Sequence, residues 1–176
     1  HWRRGGFPPS YLARSEADSF AWRRSFIQTY LERDIRDLGI NLPAATLLRF
    51  WTMVAHMHGN LWNAADPARS LGLSMPTIRR YLDLFSDLYL VRQLQPWHEN
   101  LSKRQVKSPK VYIRDSGLLH ALLGLPTERD LLSHPKAGSS WEGYVLEEVV
   151  RRLKPDAACF WATHTGAELD LLLFKG

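Results

Sequence analysis

Three carboxylates in the C-terminal part of the sequence have the residue types of metal ligands: Glu142, Glu168 and Asp170. Glu168 and Asp170 lie two residues apart in a run predicted to be a strand, so their side chains point to the same face. Glu142 falls in the first turn of the preceding predicted helix. Hard carboxylate oxygens bind Mg²⁺, and two such ions can drive phosphodiester cleavage. The three residues therefore indicate a candidate metal-dependent site, with Glu142 and Asp170 as its catalytic residues and Asp170 and Glu168 as metal ligands.

Each of these carboxylates also has a structural interpretation. Ser139 precedes Glu142 by three residues, the spacing of a capping box in which the glutamate binds the backbone at the helix start. Glu168 could simply be an exposed residue near a turn. Asp170 is flanked by leucines on both sides, a setting that disfavours an unpartnered carboxylate. Asp170 is therefore the strongest functional candidate of the three.

Cations cluster in two stretches where a nucleic acid could bind. Between residues 100 and 114 there are five cations and no acidic residue. Phosphate contact requires clustered cations of this kind. The predicted nucleic-acid contacts are Thr77, Arg79, Arg80, Lys103, Arg104 and Lys107. The helix that carries the first three contains an aspartate and lacks the Asn or Gln that reads adenine, so contact through the phosphate backbone is favoured over base readout.

The elements around these cations predict a winged helix-turn-helix. Asp66 and Pro67 open a short helix that runs to Leu71, and Gly72 and Leu73 form a turn. Ser74 caps a second helix that runs to Phe85. Alternating residues from 89 to 94 then predict a strand, and the basic loop follows as a wing would.

Two helices precede this module. The first is predicted from Ser19 to Leu38, capped by Asp18 or Ser19 and ended by Gly39, after a Gly- and Pro-rich extended arm over residues 1 to 18. On its polar face Glu32 and Arg36 are spaced for an ion pair. This face is interpreted as solvated, with domain docking as the alternative. The second helix is predicted from residue 46 to residue 58.

The C-terminal part is predicted as a small α/β unit. A strand from Lys110 to Arg114 leads into a helix, Ser116–Leu123, capped by Asp115 or Ser116. A short helix over residues 127 to 132 and a longer one from 140 to 153 follow, the latter burying Trp141, Val145, Leu146, Val149 and Val150. Strands at 159–162 and 168–174 form a hairpin with a long apolar edge, so a further strand is expected downstream.

The amino-acid composition and the motifs that are missing limit which classes of function are possible. The 176 residues are 45% hydrophobic and 23% charged, with a net charge of +5, which permits a nucleic-acid partner without requiring one. The absence of a GxxxxGK[ST] stretch excludes a P-loop in this chain. No apolar run reaches the roughly 20 residues of a bilayer span, so no membrane partner is expected. A single cysteine, Cys159, favours a reducing cytoplasm.

Several motifs in fixed order resemble a known family. They are RGGFP at 4–8, TYLERDI at 29–35, the helix-turn-helix, the PW…KR..KSPKVY..D.GLL pattern at 96–119, WE at 141–142 and GAELDLL at 166–172. Together they are similar to the C-terminal DUF4143 region of prokaryotic ATPases of the AAA superfamily. The resemblance implies an ATP-binding module ahead of the arm and a PD-(D/E)xK restriction-endonuclease-like fold at the end. In that fold the helix glutamate matches Glu142 and the metal-binding aspartate matches Asp170.

The resemblance leads to a mainly α fold with a small α/β part, in three domains. Residues 1–43 form an arm and helix linking to the ATPase module, 44–107 a winged helix-turn-helix, and 108–176 a truncated nuclease-like unit. The (D/E)xK strand is absent, and Lys175 lies too close to Asp170 to replace its lysine. The expected function is therefore a non-catalytic targeting or regulatory part of an ATPase that binds nucleic acid, in a monomer or an oligomer. A full-length nuclease and a docking module for the ATPase are the alternatives. The fragment is expected to need no cofactor, with Mg²⁺ and ATP assigned to the parent protein.

Overall fold

The computed structural model describes residues 1–38, 42–97, 107–163 and 166–176. The helices are α1 (Pro8–Tyr11), α2 (Glu16–Thr29), α3 (Ile35–Asp37), α4 (Ala44–His56), α5 (Ala65–Leu71), α6 (Met75–Asp87), α7 (Ser116–Leu122), α8 (Glu128–Ser133) and α9 (Ala137–Leu153). The strands are β1 (Val91–Pro96), β2 (Lys110–Ile113), β3 (Ala157–Ala162) and β4 (Glu168–Phe174). The prediction of a mainly helical chain with a small α/β part is confirmed.

The first long helix begins earlier than predicted. Ser15, rather than Asp18 or Ser19, caps α2, and its hydroxyl accepts the Asp18 amide. A π-helical turn, Tyr30–Asp34, then joins α2 to α3. Such a turn carries an additional residue, which rotates the side chains away from normal i,i+4 neighbours. Accordingly, the predicted ion pair between Glu32 and Arg36 is absent among the described residues, and Glu32 instead accepts from Gln28 at 3.1 Å. Gly39 lies outside the described residues.

The main core lies where α2, α4 and α6 meet the outer part of the sheet. Trp51 and Phe50 of α4 and Phe85 of α6 are fully buried there, with ring centroids 5.3 to 5.5 Å apart. Burial of such side chains contributes about 1.5–3 kcal/mol each. These contacts fix α6 against the body of the protein, and the other face of α6 is left to solvent.

The four strands form one mixed sheet in the order β2-β1-β3-β4. β1 pairs antiparallel with β2, from Val91 opposite Ile113 to Leu94 opposite Lys110, and its last two residues pair parallel with Cys159 and Phe160 in the middle of β3. β3 and β4 pair antiparallel, as predicted for this hairpin. The predicted boundary between residues 107 and 108 falls inside the β1–β2 hairpin, and the domain boundaries stay a prediction.

The N-terminal arm packs against the start of α7 and is not simply extended, since it contains α1. Gly5 has a φ of +78°, and the next amide, that of Gly6, donates to the Asp115 carboxylate at 2.7 Å. Asp115 also caps α7, as predicted, by accepting the Leu118 amide at 2.8 Å. A Cβ at Gly117 would overlap the backbone of Arg4, so the close approach of arm and helix requires glycine there.

α9 buries a different face from the one predicted. Of the five predicted core residues only Leu146 is buried, whereas Trp141 is 50% exposed and Val145 is 38% exposed. The buried face instead carries Ser140 and Gly143. A Cβ at Gly143 would overlap the imidazole of His58, so this helix approaches the body through a small residue rather than through its large apolar ones.

Candidate functional site

Two exposed arginines lie on α6, the second helix of the α5–α6 pair. Ser74 caps this helix as predicted, and Pro76 follows in its first turn. Arg79 and Arg80 are exposed, and neither has a hydrogen bond or ion pair within the part of the chain that the structure describes. Their guanidinium groups therefore have all their donors available for a ligand.

A neighbouring aspartate does not neutralise these arginines. Asp83 is spaced at i+4 from Arg79 and i+3 from Arg80, which are the spacings that favour ion pairs. Its carboxylate instead accepts the amide of Gln93, on β1, at 3.0 Å. The same amide donates to Ser86 at 3.0 Å. Gln93 thus connects β1 to α6 and binds one oxygen of the carboxylate that would compete for the arginines.

The remaining residues predicted to contact nucleic acid differ in whether their side chains are free to bind a ligand. Thr77 is half-buried, and its hydroxyl shares a hydrogen bond with that of Ser74 at 2.9 Å, so it contributes to the helix cap. Lys107 is exposed at the end of the β1–β2 connection. Lys103 and Arg104 lie outside the described residues.

The predicted carboxylates do come together, around a cation on β2. The Lys110 ammonium binds the Glu168 carboxylate, the Asp170 carboxylate at 3.0 Å and that of Glu142 at 3.8 Å. Glu168 and Asp170 therefore do point to one side of β4. The Lys110 side chain is 6% exposed and lies 5.4 Å from the centroid of the Phe160 ring. Sequence reasoning placed Lys110 among the cations of the strand but gave it no part in this cluster.

Side chains alternate between the two faces of β2, and this alternation could have predicted that Lys110 takes part in the carboxylate cluster. Lys110 and Tyr112 are two residues apart on a strand and share a face. The Tyr112 hydroxyl donates to Glu142 at 2.5 Å, so both β2 side chains reach the same group of carboxylates. Glu142 is therefore held by Tyr112, and the predicted capping box is wrong. Lys136 is the residue at the N-cap of α9, and Ser139 donates to its carbonyl at 3.3 Å.

Burial and ion pairing act in opposite directions on the titrations of this cluster. Burial by itself lowers the pKa of Lys110, but hydrogen bonds to Glu168 and Asp170 outweigh it, and the net pKa is raised. Burial raises the pKa of the Glu142 carboxyl, against the opposing hydrogen bond from Tyr112. Burial also raises the pKa of Tyr112, reinforced by its bond to Glu142. The ammonium is therefore charged at neutral pH and is no free general base.

The carboxylates as arranged do not fit a Mg²⁺ ion. The Lys110 ammonium already lies within bonding distance of the two β4 carboxylates, and it supplies the positive charge that a metal would bring. Within residues 1–38, 42–97, 107–163 and 166–176, no three or more His, Cys, Asp or Glu side chains are grouped to hold a metal ion. The metal-binding role of Asp170 and Glu168 stays a prediction, as does the catalytic role of Glu142 and Asp170.

Comparison with known proteins places the chain in a family. The model described as Domain of unknown function (DUF8612) matches residues 1–129. The chain belongs to this family. The resemblance to DUF4143 is therefore wrong, and neither the ATPase module nor the PD-(D/E)xK assignment that it implied is supported by any comparison. The motifs that carried the resemblance have structural roles here: Gly5 and Gly6 in the arm, Asp115 and Gly117 at the start of α7.

Two curated mycobacterial proteins are similar to this DUF8612 chain. They are the uncharacterized proteins Mb2031c of Mycobacterium bovis and Rv2008c of Mycobacterium tuberculosis, each 54% identical over 170 residues. The match covers 97% of this chain but 38% of either relative, so the chain spans less than half of their length.

A solved structure titled as that of transcriptional regulator PA3341 is 18% identical, with 76% of this chain and 94% of that chain covered. Its TM-score of 0.30 is too low for any argument about fold or function. Separately, no described helix has both the length and the apolar character needed to cross a bilayer. The predicted cytoplasmic location stays a prediction.

Proposed function

We propose that this DUF8612 chain binds nucleic acid through the phosphate backbone, with α6 and the adjoining β1–β2 hairpin as the contact surface. The observation that carries the proposal is the pair of exposed, unpaired arginines, Arg79 and Arg80, on the second helix of a helix–turn–helix. Phosphate oxygens are the ligands that such free guanidinium groups bind with two donors at once.

The hairpin strengthens the proposal by its position. β1 follows α6 after a short turn and is joined to it by the Gln93–Asp83 bond, so it runs back along the helix. The connection to β2 follows Pro96, the last residue of β1. Lys107, at the far end of this connection, adds an exposed cation. A winged helix-turn-helix uses a helix and a hairpin in this arrangement.

Fluorescence anisotropy with a short labelled duplex of mixed sequence tests the proposal. The double variant Arg79→Ala/Arg80→Ala should raise Kd about 100-fold at low salt, because two charge-assisted bonds are lost and each contributes about 1.5 kcal/mol. Two lost phosphate contacts should also reduce the slope of log K against log salt by about 1.8. The loss should be similar for unrelated duplex sequences, since phosphate contacts carry no base information.

A matched control removes the same charge elsewhere. Arg24→Ala/Arg36→Ala replaces two exposed arginines of α2 and α3 that likewise have no bond to described residues. It should leave Kd within about twofold of the unchanged protein, because these helices are not part of the proposed contact surface and exposed charges are screened by salt. No duplex binding at low salt, or equal losses in the two double variants, would refute the proposed surface.

The alternative functions have less support. A metal-dependent nuclease needs carboxylates that are free to take an ion, and here Lys110 holds Glu168 and Asp170. A docking role for the α2–α3 polar face has exposed residues such as Arg33 and Arg36 in its favour, but no observation identifies a partner. Since the relatives are longer, we propose the chain as the targeting part of a longer protein.

A further inference from the structure

A groove of about 680 Å³ runs between α2 and α4 and reaches the end of α7. Its lining includes Ile27 and Leu31, which are 5% and 1% exposed and belong to the main core. Leu48 of α4 and Leu122 of α7 also line it, and Leu48 is 41% exposed. An apolar surface in a concave site of this size is typical of a place where another molecule binds.

The backbone that borders this groove is irregular. Leu31 and Glu32 belong to the π-helical turn Tyr30–Asp34 that follows α2. Turns of this kind occur frequently at functional sites. The Glu32 carboxylate accepts the Gln28 amide at 3.1 Å. Gln28 and Glu32 therefore lie on the same face of the helix, and both line the groove.

Two opposite charges lie on this side of the groove. Arg24 and Glu32 are both exposed and both line it. They are eight residues apart, about 12 Å along a helix, which is too far for an ion pair within one chain. Within the described residues Arg24 has no hydrogen bond or ion pair, and the Glu32 carboxylate has the bond from Gln28. An occupant that satisfies both ends carries a negative charge near Arg24 and a positive charge near Glu32.

A second copy of this chain carries these charges at the required spacing. When two α2 helices lie antiparallel across a two-fold axis at Gln28, the residues four positions before and four positions after it face each other. Arg24 of each copy then faces Glu32 of the other, and two equivalent ion pairs form. A parallel arrangement would instead bring like charges together, which is unfavourable. The small side chains of Ala21 and Ser25 allow the second helix to approach closely.

We infer that this groove is the interface of a homodimer, in which α2 of each copy lies antiparallel to α2 of the other and contacts its α4. The apolar lining, including Leu48, is then buried against the second copy, and the Arg24–Glu32 pairs set the direction of the helices. None of the described α6 residues lines the groove. Duplex binding measured below the dimer Kd is therefore separate from dimer formation, and Arg24 stays a valid control in that assay.

Analytical ultracentrifugation of the chain from micromolar to millimolar concentration tests this interface. We expect a monomer–dimer equilibrium that weakens as salt is added. Arg24→Glu and Glu32→Arg should each raise the dimer Kd about tenfold or more, because each turns two attractive contacts into repulsive ones. The double variant Arg24→Glu/Glu32→Arg should restore Kd to within about threefold of the unchanged protein, because the pairs re-form with their charges exchanged.

Mixing the two single variants gives a sharper result. Every facing pair in the mixed dimer joins opposite charges, so the two variants should associate with each other more tightly than either associates with itself. An effect of either substitution within its own chain would not produce this association.

Arg36→Glu is the matched control, since it reverses the charge of an exposed arginine outside the groove and should leave the dimer Kd within about twofold. Ala45→Arg, on the α4 side, should weaken the dimer because its side chain occupies the groove. All four substituted residues are exposed, so the melting temperature should stay unchanged. A chain that stays monomeric at millimolar concentration would overturn the proposal and leave the groove to a helix of different sequence. A dimer that Arg24→Glu leaves unchanged, or single variants that do not associate when mixed, would overturn it as well.

Discussion

Mild acid should destabilise this protein because two histidines are buried in positions that favour the neutral imidazole. His58 is 1% exposed, and its Nδ1 accepts the Ile113 amide at 2.9 Å while Nε2 donates to the Ser139 carbonyl at 3.1 Å. Burial, reinforced by the charge of Lys136, lowers the pKa of His58 to about 3 against the raising effect of the Ser139 bond. A proton on Nδ1 would remove the acceptor that the Ile113 amide needs.

His120 is held in the same way between the arm and α9. Its Nδ1 donates to the Arg3 carbonyl at 3.0 Å, and its Nε2 accepts the Ser140 hydroxyl at 2.7 Å. Burial lowers the pKa of His120 to about 4, opposed by the Arg3 bond and reinforced by the nearby charges of Arg23 and His134. A proton on Nε2 would remove the acceptor that the Ser140 hydroxyl of α9 needs.

The size of the effect follows from the difference between folded and unfolded pKa values. An unfolded histidine titrates near 6.5, so the stabilisation is fully present above that pH and is lost as the pH falls towards the folded value. About pH 5 lies roughly 1.5 pH units below the pKa of an unfolded histidine, so each imidazole is protonated in the unfolded chain and neutral in the folded protein. Each histidine therefore lowers the free energy of unfolding by about 2 kcal/mol at this pH. The two histidines together lower the free energy of unfolding by about 4 kcal/mol, which is a large part of the about 5–15 kcal/mol typical of folded proteins.

Urea unfolding followed by tryptophan fluorescence at about pH 7.5 and about pH 5 measures this loss. His120→Gln should reduce the difference by about half, since one of the two titrations is removed. His56→Gln is the matched control, because His56 is exposed and should leave the difference unchanged. A difference below about 1 kcal/mol, or imidazole NMR titrations of His58 and His120 near 6.5, would refute the reasoning.

Two further predictions concern bonds described above. Gln93→Ala should free Asp83 to pair with the α6 arginines and raise the duplex Kd by about fivefold, a cost of roughly 1 kcal/mol, and adding Asp83→Asn should restore binding in the same anisotropy assay. Unchanged binding by Gln93→Ala would contradict this role. Lys110→Met should lower the free energy of unfolding by about 2 kcal/mol, because it leaves three carboxylates facing one another, and adding Asp170→Asn should recover part of it in urea titrations. A Lys110→Met protein as stable as the unchanged one would show that the cluster does not hold the sheet.

Much of the local structure could be predicted because short-range chemistry decides it. Ser74 and Asp115 cap the helices they were predicted to cap, since each needs only an amide two or three residues further on. The β3–β4 hairpin likewise follows from alternation and a turn. These features depend on neighbours in sequence, and a single sequence contains them.

The errors occur where a distant residue decides the outcome. Ser139 and Glu142 have the spacing of a capping box, but Tyr112 lies within reach of Glu142 only because β2 packs under α9. Tyrosine is common in strands, yet Tyr89 lies at the end of α6 and has the backbone conformation of a left-handed turn. The parallel pairing of β1 with β3 joins segments more than sixty residues apart, and no local pattern specifies it.

The same long-range contacts explain how a basic hairpin can be held ready to bind. On one side, the Trp97 amide donates to the Phe160 carbonyl of β3 at 2.6 Å. On the other, the Pro109 carbonyl accepts the Trp62 amide at 2.7 Å, immediately before Lys110 enters its carboxylate cluster. Both ends of the connection are thus fixed by the folded protein. The conformational entropy of these two ends is then lost when the protein folds and not when a ligand binds. This favours a higher affinity for the ligand. Lys110 touches no ligand in the proposed function, yet its ion pairs fix the start of β2, where this connection ends.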